Sequence, residues 1–135
     1  MRIMVDTNVI ISAILFPDSI PSAAIIKVLK QHRLVLCSQI EDELFAIFEK
    51  KFGNKLPDLR LFIDKLSYEL VSTPSDIDRN DYPVIRDEAD LPILAAALNA
   101  KVDLLLSGDN DFLALQNESL SSLTILSPKE YVENY

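Results

Sequence analysis

Two short apolar runs, each leading into an aspartate, constrain this chain more than anything else in it. Ile3-Met4-Val5 runs into Asp6-Thr7-Asn8, and Leu104-Leu105-Leu106 runs into Ser107-Gly108-Asp109. Apolar runs this short, without polar alternation, suit strands buried on both faces of a parallel sheet. Open α/β sheets bind ligands in the crevice beyond the carboxyl ends of their strands, so both aspartates are expected at that edge. Asp6, Glu43, Asp90, Asp109 and Asp111 are the candidates to converge there. Carboxylates crowded into one crevice repel each other, and Mg2+ or Mn2+ is the usual neutraliser because hard cations prefer oxygen ligands.

The rest of the composition narrows the class. A chain of 135 residues, 49% hydrophobic and 25% charged, fits one soluble domain spanning residues 1–135. Asp6 and Asn8 break the apolar start before it can serve as a signal segment, and no small-residue cleavage site follows. The longest uncharged stretch near the start, residues 7–17, is too short to span a membrane. A cytoplasmic protein without a membrane partner is expected. Cys37 is the single cysteine, which excludes an intrachain disulfide and argues against a cysteine zinc site. His32, the single histidine, lies at a helix end beside Arg33, where a solvated or capping role outweighs one in a serine–histidine–acid triad. Neither a Walker lysine motif nor a dinucleotide fingerprint occurs.

Strand and helix signals alternate along the chain. After the first strand, helices are predicted through Ile10–Leu15, ending before Pro17, and from about Ser22 to Gln31. Leu34-Val35-Leu36 is the next strand, with Ser38 as the N-cap of a helix that carries Ile40, Leu44, Ile47 and Phe48 and ends near Gly53. Pro57 opens another helix. Leu70-Val71 is a short strand, and residues 72–88 form a surface loop. The helix from Asp90 to Ala100 is apolar on nearly every side and therefore buried, with Pro92 in its first turn and Asp90 at or near its N-cap. Val102–Leu106 and Leu123–Leu126 complete the strands, and Ser127-Pro128 begins a last helix. This alternation implies a parallel sheet covered by helices on both faces.

Each acid also has a plain structural reading. Asp6 and Asp90 can cap the helices they precede, and Asp109 and Asp111 can be turn residues. The glycine and distal glutamate of a calcium-binding EF-hand loop are missing around Asp109. Glu41 and Glu43 flank opposite sides of the apolar face of their helix, so helical phase does not choose between them.

Taken together, the segments resemble the PIN domain family of metal-dependent ribonucleases over nearly the whole chain. Val5-Asp6-Thr7-Asn8-Val9 is similar to the family's first strand and its aspartate. Ser38-Gln39-Ile40-Glu41-Asp42-Glu43-Leu44 is similar to the segment with the helical glutamate, and its spacing selects Glu43. Asp90-Leu91-Pro92-Ile93-Leu94-Ala95-Ala96-Ala97 resembles the aspartate-led, alanine-rich helix, and Leu106-Ser107-Gly108-Asp109-Asn110-Asp111-Phe112 the strand-end motif. Phe16-Pro17, Arg86-Asp87 and Leu126–Tyr131 resemble the branch of toxin components of prokaryotic toxin–antitoxin pairs, the VapC-like ribonucleases. The resemblance implies a three-layer α/β/α domain with a parallel sheet of four to five strands. It also implies Mg2+ or Mn2+ held by Asp6, Asp90 and Asp109, with Glu43 and Asp111 completing or tuning the site and one of these two accepting a proton from water. Thr7, Asn8 and Ser107 adjoin these acids and can orient them by hydrogen bonds. RNA as substrate, a homodimer and a cognate antitoxin protein are implied as partners. Pro92 and the low isoelectric point depart from the family pattern.

Charge bears on substrate. The net charge of −8 opposes nucleic-acid binding, but it is unevenly spread. Lys50, Lys51, Lys55, Arg60 and Lys65 outweigh three acids between residues 49 and 65, so Lys50, Lys51 and Lys55 are candidates to touch RNA. Two alternatives to a nuclease stand beside it: a PIN-like binding module without catalysis, and a receiver-like phosphoacceptor. The latter lacks both the mid-sheet aspartate and the strand-end lysine it requires.

Overall fold

The computed structural model describes residues 1–135. Five strands form one all-parallel sheet in the order β3-β2-β1-β4-β5. They are β1 (Arg2–Val5), β2 (Arg33–Cys37), β3 (Tyr68–Val71), β4 (Leu104–Leu106) and β5 (Thr124–Leu126). β1 is central, pairing Ile3 with Leu34 of β2 and with Leu104 of β4. The two apolar runs that end in aspartates are therefore neighbouring strands. Every residue of β4 is buried, as are all but the first of β1 and β2, so both faces of the sheet are covered.

Helices α1 (Thr7–Leu15) and α2 (Ile20–Gln31) connect β1 to β2, and α3 (Ser38–Lys51) and α4 (Leu56–Lys65) connect β2 to β3. The chain then recrosses β1 through residues 72–90 and α5 (Leu91–Asn99) to reach β4. Strand order thus reverses at β1, which makes the carboxyl ends of β1 and β4 the switch point where such sheets bind ligands. Short α6 (Asn110–Leu113) leads toward β5, and α7 (Pro128–Asn134) closes the chain with a Ser127–Glu130 capping box. No single helix is long and apolar enough to cross a membrane.

Several local expectations need correcting. Strand β2 passes straight into α3, so Ser38 is the first helical residue and Cys37 holds the N-cap position without a side-chain bond. The cap comes from elsewhere. Thr73, just past β3, accepts from the Gln39 N–H at 2.9 Å, while Ser38 and Thr73 bond each other. Gly53 does not take a left-handed φ; α3 ends at Lys51 and residues 53–55 form a 3₁₀ turn. Helix α2 begins at Ile20, two residues earlier than the periodicity suggests, because Ser19 caps it and Pro21 sits in its first turn.

Helix α5 fixes the site's geometry through small residues. Ala95, Ala96 and Ala97 are essentially inaccessible, so the helix lies close to its neighbours and its N-terminal end at Asp90 cannot drift. Interiors packed to this density resist added volume. Ala96→Leu is expected to cost about 1–3 kcal/mol, read as a lower urea midpoint; an unchanged midpoint would show slack around α5.

Candidate metal centre

Asp6 is the buried anchor of the site. Its backbone N–H continues the β1–β4 ladder to Leu106 O at 2.9 Å, which sets its side chain beside Ser107. Asp6 Oδ2 accepts from Ser107 Oγ at 2.8 Å and Oδ1 from the Thr7 N–H at 2.8 Å. Only 3% of Asp6 and none of Ser107 is exposed. Burial pushes the Asp6 carboxyl up to about 6 despite those two hydrogen bonds, and nearby Glu43 and Asp109 add to the shift.

Thr7 connects that anchor to α3. Its Oγ1 donates to Glu43 Oε2 at 2.7 Å, and Gln39 Nε2 donates to Oε1 at 3.0 Å. Glu41 turns the other way and accepts from the Tyr68 hydroxyl on β3. The ambiguity between Glu41 and Glu43 is thus resolved by what lies beside each: the sheet edge for one, the switch point for the other. Asn8 is exposed and hydrogen-bonds none of the acids, so of the three orienting candidates Thr7 and Ser107 engage the acids and Asn8 does not.

Past β4, Ser107 also accepts from the Asp109 N–H at 3.0 Å. Asp109 caps α6 through the Asp111 N–H at 2.9 Å. Asp90 holds the N-cap position of α5 but makes no capping bond. Its Oδ2 is buried without any hydrogen-bond partner. Burial pushes this carboxyl up to about 7, with Asp109, Asp6 and Asp87 adding repulsion.

The three carboxylates whose oxygens lie within 4.8 Å of one another are Asp87, Asp90 and Asp111. Asp90 belongs also to the trio Asp6, Asp90 and Asp109 expected from sequence, and the charges of Asp109 and Asp6 act on it directly. Asp87 enters because residues 88–90 form a 3₁₀ turn, whose three-residue period eclipses side chains three apart. The Asp-x-x-Asp spacing of Asp87 and Asp90 was the signal. Arg86 also joins, its Nε lying 2.9 Å from Asp111 Oδ1 in an ion pair. The lysines expected to meet RNA lie farther off. Lys50 is two helical turns beyond Glu43 on the same face of α3, about 10 Å along the axis. Lys50 and Lys51 are exposed, and Lys55 is shared with Asp58 at 3.8 Å.

An orphaned, buried carboxylate oxygen with two other carboxylates in reach suits a hard divalent cation, which takes carboxylate and water ligands together. The site is therefore an acidic cluster at the switch point of a parallel α/β sheet. The sequence matches the PIN domain family over residues 2–111, and the chain belongs to that family. An uncharacterized protein from Methanocaldococcus jannaschii is 24% identical over 148 aligned positions, spanning 100% of this chain and 92% of that protein. Two solved structures share the fold. VapBC2 from Rickettsia felis bound to a DNA fragment from their promoter has a TM-score of 0.68 at 16% identity, covering 94% of this chain and 98% of that one. DNA-bound VapBC from Salmonella typhimurium has a TM-score of 0.67 at 18% identity, covering 95% and 98%.

The raised carboxyls have a pH signature. Without metal, the folded protein holds protons on Asp6 and Asp90 where the unfolded chain, with aspartates near 3.8, has released them. Stability is thus greatest at the acid end of that window and falls as pH rises toward about 7. Melting temperatures measured in chelator should decline across this range, and Asp90→Asn should flatten the decline. A parent whose melting point does not fall there would show that the acids are not under strain.

Proposed function

We propose that this PIN domain is a divalent-metal-dependent ribonuclease, the toxin of a toxin–antitoxin pair. The observation that carries the nuclease reading is Asp90, whose buried Oδ2 has no hydrogen-bond partner and whose carboxylate lies within reach of Asp87 and Asp111. Membership in the PIN family and similarity to the two VapBC structures support the toxin assignment and an antitoxin partner.

Asp90 would sit at the centre of the cation site, within reach of Asp87 and Asp111 and under the charge of Asp6 and Asp109. This many carboxylates is sufficient for one or two ions of Mg2+ or Mn2+. Bound there, the cation supplies a water of lowered pKa and neutralises charge on the scissile phosphate. The chain's own residues do the positioning. Ser107 fixes Asp6 and the Asp109 backbone together, and Thr7 holds Glu43 toward the same cleft. Glu43, bound only to neutral Thr7 and Gln39, is well placed to take a proton from water. The lysines at the end of α3 would contact RNA outside the reacting centre, which gives weak, salt-sensitive binding. A homodimer would bring two such stretches onto a shared surface.

An inactive binding module is the second reading, favoured by the net charge of −8. One experiment separates the two. Purified protein with Mn2+ should cleave RNA, and Glu43→Gln should slow cleavage on the order of 10²-fold or more while leaving the fold intact. Absence of metal-dependent cleavage in the parent would remove the nuclease reading. Independently, Mn2+ at about a hundredfold its dissociation constant should stabilise the parent by about 2.7 kcal/mol, and Asp90→Asn should lose most of that gain. Equal Mn2+ stabilisation of both proteins would place the ion elsewhere.

A further inference from the structure

We infer that Arg86 is a phosphate-contacting residue of the acidic site, ion-paired with Asp111 at its Nε while Nη1 and Nη2 stay free for an incoming RNA strand. The inference rests on the nuclease reading and adds a residue to it. The asymmetry of the Arg86–Asp111 pair is the starting point. The Asp111 side chain is only 10% exposed, whereas that of Arg86 is 88% exposed. The acid is therefore shielded, and the guanidinium paired with it stands in solvent. Only Nε is engaged with the protein, at 2.9 Å; neither terminal nitrogen has a protein partner.

The segment carrying Arg86 is held in place. Ile85 is buried in the main core while Val84 is 93% exposed, so three successive side chains point out, in and out. Arg79 and Glu88 form an ion pair across the loop, and Asp87 accepts from the Ala89 N–H at 3.0 Å, closing the 3₁₀ turn that delivers Asp90. Arg86 is thus presented by a pinned backbone. An ion pair this open to solvent contributes little to folding, so stability alone gives no account of its placement. A planar guanidinium held beside an acid by charge, with both terminal nitrogens free, matches a phosphate's paired oxygens. A lysine in its place could supply charge but not that fork.

The test measures RNA and metal separately. A fluorescein-labelled single-stranded RNA is titrated by anisotropy, with Ca2+ replacing Mn2+ to slow cleavage, across a salt series. Mn2+ affinity is measured by calorimetry without RNA. Arg86→Gln should weaken RNA binding on the order of tenfold and lower the slope of log affinity against log salt by about 0.7, one phosphate contact on a single strand. Its Mn2+ affinity should be unchanged or higher, since Asp111 loses a competing cation. Arg86→Lys should recover the salt slope but only part of the affinity. Unchanged RNA affinity and slope in Arg86→Gln would overturn the inference. So would loss of Mn2+ binding, which would make Arg86 an organiser of the acids. A parent that binds no RNA with metal removes the nuclease reading and this inference together, whereas a parent that binds and an Arg86→Gln that matches it removes only the latter.

Discussion

The carboxylate of Asp6 lies where the central strand, the first helix and the neighbouring strand meet, and its burial organises what surrounds it. A charged group so far from water is costly unless donors are fixed around it. Here the donors are the Thr7 N–H and the Ser107 hydroxyl, both supplied by residues at strand ends. Thr7 and Ser107 then pass the constraint outward, one to Glu43 and the other to the Asp109 backbone. Three chain segments far apart in sequence are thereby keyed to one buried oxygen pair. Even so, the compensation is incomplete, since Asp6 and Asp90 both hold protons more tightly than ordinary aspartates. A site strained in this way is relaxed by positive charge.

The fold was largely legible because the central strands are buried on both sides. Ile3-Met4-Val5 and Leu104-Leu105-Leu106 have no polar alternation to confuse with a helix face or a half-exposed strand. The edge strand β3 was harder, because Tyr68-Glu69-Leu70-Val71 is only partly buried and carries less pattern; its last two residues were recognisable and its first two were not. Helix ends failed where tertiary contacts replaced local ones. Ser38 has the right chemistry for an N-cap, but Thr73 does that work from across the chain, and local sequence has no record of such a partner.

Most of the acids were legible, while Asp87 was not. Asp6, Glu43, Asp90 and Asp109 follow from strand ends, a helix start and a motif, all readable one segment at a time. Which oxygens come within bonding range of one another depends on the turn before α5. A 3₁₀ turn at residues 88–90 brings Asp87 alongside Asp90, and that short element lies in a stretch whose prolines and acids read only as loop. Arg86 was hidden for the same reason. Its partner Asp111 is 25 positions away in sequence, and no periodicity joins them.

Net charge says less about this protein than the placement of charge does. The acids of the cluster are concentrated at one sheet edge, where their mutual repulsion favours a cation over any anion. Each divalent ion bound there removes two units of the repulsion that a polyanion would meet. Cations elsewhere are arranged by distance from that centre: Arg86 paired with Asp111, then Lys50 and Lys51 about two turns beyond Glu43 on α3. On the proposed reading, such an order would let the ion neutralise the cleft before the outer cations meet a phosphate backbone. The screened Coulomb interaction falls off over about 10 Å at moderate salt. The nearest charges therefore decide whether a phosphate is accepted, and the distant acids that make up the rest of the total count for little.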